Sequence, residues 1–357
     1  MRFRAPILVA LSAGLALGCQ DRPVEPPTGE ATDAPSFKVD QTRSITVTEL
    51  GTLGGGQSNA HAINRLGQIV GSSTTTGGEG HAFLWEKGVM TDLGTLGGSY
   101  SAAYGLNDRG QIVGVSHISA VENRAFLWQN GVMTDLGAMP GHHESKALAI
   151  NNRGQIVGDS RLGINEHHPI LWDDGEMTDL GTLGGYATIA FAINERGQVA
   201  GYSFLSGSNA GQVRAFLWQD GVMSDLGTLG GRWPGSQAFG MNDRGQIVGS
   251  SLFDDSGDLL HHPTLWQDGS ITDLGTLAVP NGVAKSINNR GQVVGYEYYS
   301  PPGSPTGAFL WEDGVRTKLP SLHGYVDRAH AINDRGQIVG YCTDAAGNRH
   351  AVLWEIK

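Results

Sequence analysis

One octapeptide, Asn-Asp-Arg-Gly-Gln-Ile-Val-Gly, recurs along the chain and constrains its fold more than any other feature. It is spelled out in full at residues 107–114, 242–249 and 333–340, and near-copies begin at Asn64, Asn151, Asn194 and Asn288. The leading Asn residues are 43 to 48 positions apart. Self-similarity at a period of about 20–50 residues is typical of repeat architectures, so the sequence predicts seven copies of one structural unit.

Each unit contains four short segments that are typical of β-strands. In the second copy they begin at Ser101, Gly110, Arg124 and Val132, and Gly, Asn or Asp residues separate them. The octapeptide joins the first segment to the second, and its Asn and first Gly fit a type I turn closed by a Gly at positive φ. Asn-Gly or Asp-Gly pairs before the fourth segment predict tight hairpins. Because every unit carries the octapeptide, we assign it to the scaffold and not to a binding site.

The first segment of each unit has one face of small side chains. An Ala lies four residues before the turn Asn in all seven copies, and Ala, Gly or Ser lies two residues before it. Side chains alternate between the two faces of a strand, so such a face fits where strands crowd around a central axis. Four antiparallel strands in about 45 residues, with a small-residue inner strand, are typical of a β-propeller blade.

The segments are offset from the repeats in a way that predicts a closed ring. The seventh unit ends after its third segment, at Trp354, whereas an additional segment of the fourth type begins at Ser44, before the first unit. An N-terminal strand that completes the last blade would leave no exposed sheet edge. We therefore predict an all-β fold over residues 44–357: a seven-bladed β-propeller with four-stranded blades, closed by the N-terminal strand.

The units resemble the HAF repeat, a repeat of extracellular bacterial proteins named for the tripeptide His-Ala-Phe, which occurs here at residues 81–83. The matching stretches are His-Ala-Phe-Leu-Trp, Gly-Gln-Ile-Val-Gly and Asp-Leu-Gly-Thr-Leu-Gly-Gly, and they extend over about 310 of the 357 residues. The resemblance implies an exported protein and implies no established activity.

The first residues of the chain predict export. A basic start, Met-Arg-Phe-Arg, precedes an apolar stretch that is too short to span a bilayer and that leads to Cys19. This order resembles a bacterial lipoprotein signal, so we predict a signal peptide over residues 1–18, lipidation of Cys19 and a location at the outer membrane or cell surface. Residues 19–43 are rich in Pro and polar residues, which predicts a flexible tether. The alternative is a secretory signal that is cleaved nearby without lipidation.

The charge of the chain argues against nucleic acid as a partner. Asp and Glu number 35 against 24 Lys and Arg, which gives a net charge of −11, whereas binding to a phosphate backbone depends on Lys and Arg. We predict a monomer that contacts the membrane only through its lipid.

The chain has no Gly-x-Ser-x-Gly, no His-Glu-x-x-His and no Cys–His spacing typical of zinc sites, so we predict no cofactor and no metal site.

Ligand contacts are expected where the units differ from one another, because loops that need not be alike for folding are free to bind. Unrepeated aromatic rings beside Gly and polar residues suit stacking on sugars or peptides. The predicted ligand-binding residues are Trp233, Tyr298, Tyr299, Tyr186, His142, Asp254 and Asp255. The alternatives are packing of the aromatic rings within their loops and, for the acidic pair, a solvated loop that does or does not hold calcium.

One repeated position also carries ligand-type side chains. The residue that opens the third segment is a His or an Arg in six units: His81, Arg124, His168, Arg214, His262 and His350. A metal or anion ring is conceivable, but a repeated position is expected to serve the scaffold. We predict that each side chain bonds within its own blade to a Ser at the end of the second segment.

Two functions remain open. The first is a non-enzymatic surface module that binds a glycan, a peptide or a partner protein, and aromatic residues spread over several units favour it. The second is a propeller-based hydrolase or lyase, which would need unrepeated His and acidic residues converging at the mouth of the central channel.

Overall fold

The computed structural model describes residues 38–39, 44–120, 122–163, 166–209, 211–231, 234–255, 258–277, 279–298 and 307–357. The predicted signal peptide, Cys19 and most of the predicted tether lie outside these residues. Within the described part, no helix is long and apolar enough to cross a membrane.

The regular structure of the described residues is β-strand, apart from one turn of 3-10 helix at Gly207–Asn209. Two strands precede the repeats, β1 (Lys38–Val39) and β2 (Ile45–Glu49). Units 1 to 3 contain twelve strands: β3 (Gly54–Ile63), β4 (Ile69–Thr75), β5 (Gly80–Glu86), β6 (Val89–Asp92), β7 (Ser101–Leu106), β8 (Ile112–His117), β9 (Asn123–Gln129), β10 (Val132–Asp135), β11 (Glu144–Ile150), β12 (Ile156–Arg161), β13 (His167–Asp173) and β14 (Glu176–Asp179).

Units 4 to 7 contain the remaining strands of the described part: β15 (Gly184–Ile193), β16 (Val199–Leu205), β17 (Val213–Gln219), β18 (Val222–Asp225), β19 (Ser236–Met241), β20 (Ile247–Asp255), β21 (Asp258–Gln267), β22 (Ser270–Asp273), β23 (Asn281–Ile287), β24 (Val293–Tyr298), β25 (Gly307–Glu312), β26 (Val315–Lys318), β27 (Asp327–Ile332), β28 (Gln337–Thr343) and β29 (Arg349–Ile356).

Within each unit the strands pair antiparallel in chain order, first to second, second to third and third to fourth. In unit 7 the fourth strand is β2, which pairs with β29 from Ile45↔Ile356 to Glu49↔Val352. The short strand β1 adds in parallel to the edge strand β26 of unit 6, so two residues of the predicted tether belong to a sheet. The predictions of an all-β class and of a four-stranded antiparallel repeat are confirmed.

The octapeptide forms the predicted turn between the first and second strands. In unit 1 the backbone N–H of Gly67 donates to the carbonyl oxygen of Asn64 at 3.1 Å, and Gly67 has φ 85°. The predicted hairpin between the third and fourth strands is also present. In unit 2 both of its central residues, Asn130 and Gly131, have positive φ (53° and 84°), as a type I′ turn requires.

The Asn of the octapeptide also links neighbouring units. In unit 2 the Oδ1 of Asn107 accepts the backbone N–H groups of Arg109 and Gln111 at 3.0 and 3.1 Å. Its Nδ2 donates to Gln111 Oε1 at 2.7 Å and to the carbonyl oxygen of Asn151, in the next unit, at 3.0 Å. The same inter-unit bond occurs from each unit to the next, and Asn333 of unit 7 donates to Asn64 of unit 1 at 3.0 Å. This buried amide therefore uses two donors and two acceptor positions, which explains why Asn is invariant here.

The hydrophobic core of the described residues is divided into seven clusters between neighbouring sheets. The cluster between units 6 and 7 contains the fully buried Trp354, with Ile45 and Val47 of β2 packed against it. Another cluster contains Leu353 of unit 7 together with Ile69 and Phe83 of unit 1. The first and last units of the chain therefore share a core.

The first strand of every unit contains a β-bulge. In unit 1, Ala60 pairs with Gly71 and Ala62 pairs with Val70, so His61 is an extra residue in its strand. The carbonyl of Asn59 lies so close to Gly71 that a Cβ there would overlap it, which explains the last Gly of the octapeptide. A bulge can re-aim a side chain relative to its strand. The seven extra residues, called the bulge residues below, are His61, Tyr104, Leu148, Phe191, Phe239, Lys285 and His330.

Candidate functional site

All seven bulge residues line one cavity of about 410 Å³, called the central cavity below. Four further residues from units 3 and 4 complete its lining: Lys146, Asp159, Arg161 and Ile189. Every unit contributes to this cavity, yet its lining is not repeated, because the bulge residues differ in charge, polarity and size. Small-molecule sites enclose roughly 300–1,000 Å³, so this cavity has the size of a ligand site.

A second cavity, of about 210 Å³, lies at the octapeptide turns and has a different character. Its lining includes the seven turn Asn residues and the apolar residue before each of them. These positions are repeated and their amides are occupied by hydrogen bonds between units. We therefore assign this cavity to the scaffold.

Aromatic rings form much of the wall of the central cavity. His61 stacks on Tyr104 with ring centroids 5.0 Å apart and an interplanar angle of 13°, and His330 lies 5.9 Å from His61. Phe191 meets Phe239 edge-on at 5.4 Å. The Nζ of Lys285 lies 3.9 Å from the centre of the Phe239 ring, a cation–π contact that holds the ammonium group at the wall.

The two histidines of the wall are neutral acceptors at pH 7. His61 Nδ1 lies 2.9 Å from the carbonyl oxygen of Ala103, and His330 Nδ1 lies 2.9 Å from that of Ala60. A carbonyl oxygen can only accept, so each Nδ1 carries the proton and each Nε2 is left as an acceptor. Burial, with smaller effects from nearby cations, lowers the pKa of His61 to about 4 and that of His330 to about 3.

The cavity is cationic although the chain is acidic. Three cations, Lys146, Arg161 and Lys285, line it together with one carboxylate, Asp159. Arg161 Nε lies 2.8 Å from Asp159 Oδ2, and His167 Nδ1 lies 2.9 Å from the same oxygen. Burial would raise the pKa of Asp159, but the hydrogen bonds and charges of His167 and Arg161 outweigh it and lower the pKa.

Lys285 has a pKa well below its ordinary value. Burial lowers its pKa to about 8, and the positive charge of Arg328 acts in the same direction. At pH 7 most of this ammonium group is still protonated. An anion in the cavity would therefore meet a charged donor with little competition from water.

The buried histidines predict a loss of stability in acid. An unfolded His titrates near pH 6.5, whereas His61 and His330 in the fold titrate at about 4 and 3, so between these values the unfolded chain binds more protons. The contribution of these histidines to the free energy of unfolding is then fully present above about pH 6.5. It decreases as the pH falls, by roughly 1–2 kcal/mol per histidine at about pH 5. In urea unfolding, the double variant His61→Asn/His330→Asn should lose less stability than the wild type between pH 7 and pH 5. Parallel pH profiles would contradict this assignment.

The repeated His of the third strand bond within their own sheets, but not to Ser, whereas Arg124 and Arg214 donate to the carbonyl oxygens of His143 and Pro234 at the start of the next unit. His81 Nδ1 lies 2.8 Å from Asp92 Oδ2, and His168 and His262 each lie 2.7 Å from the corresponding Asp of the fourth strand. In unit 7 the carboxylate is Glu49 of β2. The predicted Ser partners have another role: Ser116 Oγ, for example, accepts the N–H of Leu96 in a loop between units. The prediction of a scaffold role fits these bonds, and the predicted partner was wrong.

The described residues of the predicted ligand site do not line the central cavity. Tyr186 is 54% exposed and stacks on Phe204 at 4.7 Å. His142 Nδ1 lies 3.0 Å from Ser160 Oγ. Burial raises the pKa of Tyr298 to about 12. Trp233 and Tyr299 lie outside the described residues, as do the side chains of Asp254 and Asp255, so their ligand contacts stay predictions.

The sequence did contain a signal for the central cavity. Three residues before each turn Asn, between two positions that are always small, the side chain changes from unit to unit. A position that varies inside a strongly repeated strand is free of the scaffold, just as a variable loop is. The bulge that aims these side chains at the cavity has no signature of its own in the sequence.

No protein-family model matches the chain, and no curated protein matches it. TolB from Acinetobacter baumannii is 13% identical, with a TM-score of 0.49, over 76% of this chain and 66% of that chain, just under two thirds of its length. The β-propeller domain of the Trilobed protease from Pyrococcus furiosus is 11% identical over 72% of this chain and 82% of that chain, with a TM-score of 0.47. A gluconolactonase from Xanthomonas campestris is 10% identical over 88% and 90%, with a TM-score of 0.41. These similarities assign no activity to the chain.

Proposed function

We propose that the seven sheets are the blades of one closed β-propeller, with β2 completing the last blade. Three observations support this arrangement. β2 pairs with β29 over five residues, the inter-unit bonds return from Asn333 to Asn64, and units 7 and 1 share a core cluster. In this arrangement the central cavity lies on the axis of the ring.

We further propose that this propeller is a binding module whose central cavity holds a small, hydroxylated anion, such as an acidic sugar or another hydroxy acid. The observation that carries the proposal is the convergence of unrepeated residues into a cationic cavity within a chain of net charge −11. Lys285, Lys146 and Arg161 can each donate to a carboxylate or phosphate group. A net positive cavity lined by low-dielectric walls concentrates anions.

The remaining groups of the cavity suit the rest of such a ligand. The Nε2 atoms of His61 and His330 can accept hydrogen bonds from hydroxyl groups, and Tyr104 can donate or accept. The rings of Phe191 and Phe239 offer an apolar surface for the C–H face of a sugar. The predicted loop residues, among them Trp233, would form a second contact surface for a longer glycan or a partner. We also propose that the predicted signal peptide directs export and that a lipid on Cys19 anchors the protein. Mass spectrometry of the mature N-terminus can check both points.

Lys285→Met should weaken binding of an acidic monosaccharide by about 10-fold to 100-fold, because a hydrogen bond to a charged group contributes about 1.5–3 kcal/mol. Met keeps most of the length of the side chain and removes the ammonium group, together with its cation–π contact with Phe239. Titration calorimetry with glucuronate and galacturonate measures the effect, and glucose and galactose test whether the anionic group is required.

The matched control is Lys87→Met, which removes the same charge from an 88%-exposed side chain in a hairpin of unit 1. We expect this variant to bind like the wild type. Equal affinity of Lys285→Met and Lys87→Met would place the ligand outside the central cavity. Binding of neutral and acidic sugars with the same affinity would contradict the proposal that the cations of the central cavity select an anion.

A second candidate function is a hydrolase or lyase acting in the same cavity. The amine of Lys285, whose pKa is lowered to about 8, can transfer a proton near neutral pH, and the neutral imidazoles of His61 and His330 can accept hydrogen bonds from a substrate. Elimination from an acidic sugar gives an unsaturated product that absorbs in the ultraviolet. Turnover that is lost in His330→Asn while binding persists would favour the enzyme over the binding module.

A further inference from the structure

Unit 7 carries a cluster of ligand-type side chains that the central cavity does not use. Glu49 lies on β2, His350 lies on β29, and His323 lies in the loop between β26 and β27. One ligand atom from each of these residues lies within 4.8 Å of the other two. All three side chains are at least partly accessible, so an ion could reach them from solvent.

The His350–Glu49 pair alone needs no special explanation, because units 1, 3 and 5 contain the same His–carboxylate pair. The unusual member is His323, which stands where four other units have a glycine: Gly54, Gly97, Gly184 and Gly230. Its Nε2 is buried and makes no hydrogen bond to the described residues. The ring of His323 packs 4.8 Å from that of His350, but an unsatisfied buried nitrogen costs free energy, so the repeat does not account for a histidine at this position.

We propose that Glu49, His323 and His350 bind one divalent transition-metal ion of the zinc class. Two imidazoles and one carboxylate form a three-ligand set that leaves a fourth position for water. Ligand atoms at about 2.0–2.1 Å from a tetrahedral zinc ion are ~3.3 Å apart, so the cluster needs to contract by only about 1.5 Å.

The neighbours of His350 fit this role. Its Nδ1 lies 2.8 Å from Glu49 Oε1, so both atoms can approach one ion, and its Nε2 lies 3.3 Å from Asp344 Oδ2. With Nδ1 on the metal, the Nε2–H group donates to Asp344. A carboxylate that accepts from the far nitrogen of a ligating histidine is the usual support of such ligands.

The position of the site gives the ion a structural role. Glu49 belongs to the N-terminal strand, whereas His323 and His350 lie more than 270 residues later in the chain. A bound ion would fasten β2 to β29 and to the loop between units 6 and 7. This inference depends on the pairing of β2 with β29 and does not depend on the ligand proposed for the central cavity.

The test is a zinc titration of the purified full chain, produced without a polyhistidine tag and stripped with a chelator. We expect one Zn²⁺ per chain by calorimetry and a rise in the thermal midpoint when zinc is added, because an ion that binds only the folded state stabilises it. His323→Gly, which installs the residue of four other units, should fold normally and lose at least 10-fold in zinc affinity.

The matched control is His81→Ala, which breaks the His81–Asp92 pair of unit 1, where Gly54 stands in the place that His323 has beside His350. This variant should bind one Zn²⁺ like the wild type. Cobalt in place of zinc should give the visible absorption of a low-symmetry site in the wild type and in His81→Ala, but not in His323→Gly. No stoichiometric binding, or equal affinity of His323→Gly and the wild type, would overturn the proposal.

Discussion

A chain that begins at Gly54 is expected to unfold at a far lower temperature than one that begins at Ser44. The shorter chain lacks β2, whose Ile45 and Val47 pack against the core that contains Trp354. It also lacks Leu50, which is buried in the core shared by units 7 and 1. Three apolar side chains at about 1.5–3 kcal/mol each amount to roughly 5–9 kcal/mol, comparable to the whole stability of many proteins.

The chain that begins at Ser44 is the control, because it keeps β2 and removes β1 together with everything before it. Thermal unfolding followed by circular dichroism measures both chains. A synthetic peptide of residues 44–53, added to the shorter chain, should raise its midpoint in proportion to peptide concentration. If the two chains unfold at the same temperature, β2 does not hold the last sheet.

Asn107→Asp should be among the most destabilising single substitutions in the protein. The carboxylate cannot donate, so its oxygen would face Gln111 Oε1 and the carbonyl of Asn151, which now lie 2.7 and 3.0 Å from Nδ2. Asn107 is only 4% exposed, so the new charge is also buried. We expect a loss of about 3 kcal/mol or more in the free energy of unfolding, measured by urea denaturation.

Asn130→Asp makes the same chemical change in the same unit and serves as the control. Asn130 lies in the exposed hairpin, where four other units already have Asp at positive φ: Asp174, Asp220, Asp268 and Asp313. Its stability should be close to that of the wild type. Similar unfolding free energies for the two variants would mean that the Asn107 amide contributes little.

The four-stranded unit could be predicted from the sequence because its features are local. A type I′ hairpin needs two residues at positive φ, and Asp-Gly supplies them within one dipeptide. The octapeptide turn is local as well, and both turns were predicted correctly. The second hydrogen bond of the Asn amide was not foreseen, because it reaches about 45 residues along the chain to the next unit.

The candidate site depends on a β-bulge in the first strand, which the alternation of side chains along a strand does not reveal. Strict alternation predicts only which face of the first strand is small, and it says nothing of the bulge at Ala60–Ala62 that sets His61 apart. Likewise, the partner of His81 was sought in a Ser of the second strand, whereas it is the carboxylate of Asp92 on the fourth strand. Sequence reasoning looked for variation in loops and missed variation inside a strand.

The bulge separates two kinds of position in the first strand of each unit, those that are repeated and one that varies. The residues around it, an Ala before and an Ala, Gly or Ser after, are required by the fold and stay small in every copy. The bulge residue differs among the units while the strand that carries it keeps the same pairing, so these seven positions can vary without a change of fold. If the central cavity is the binding site proposed above, proteins that share these repeats would differ mainly at seven residues, one from each unit, and comparing those residues would group the proteins by the chemistry of their ligands.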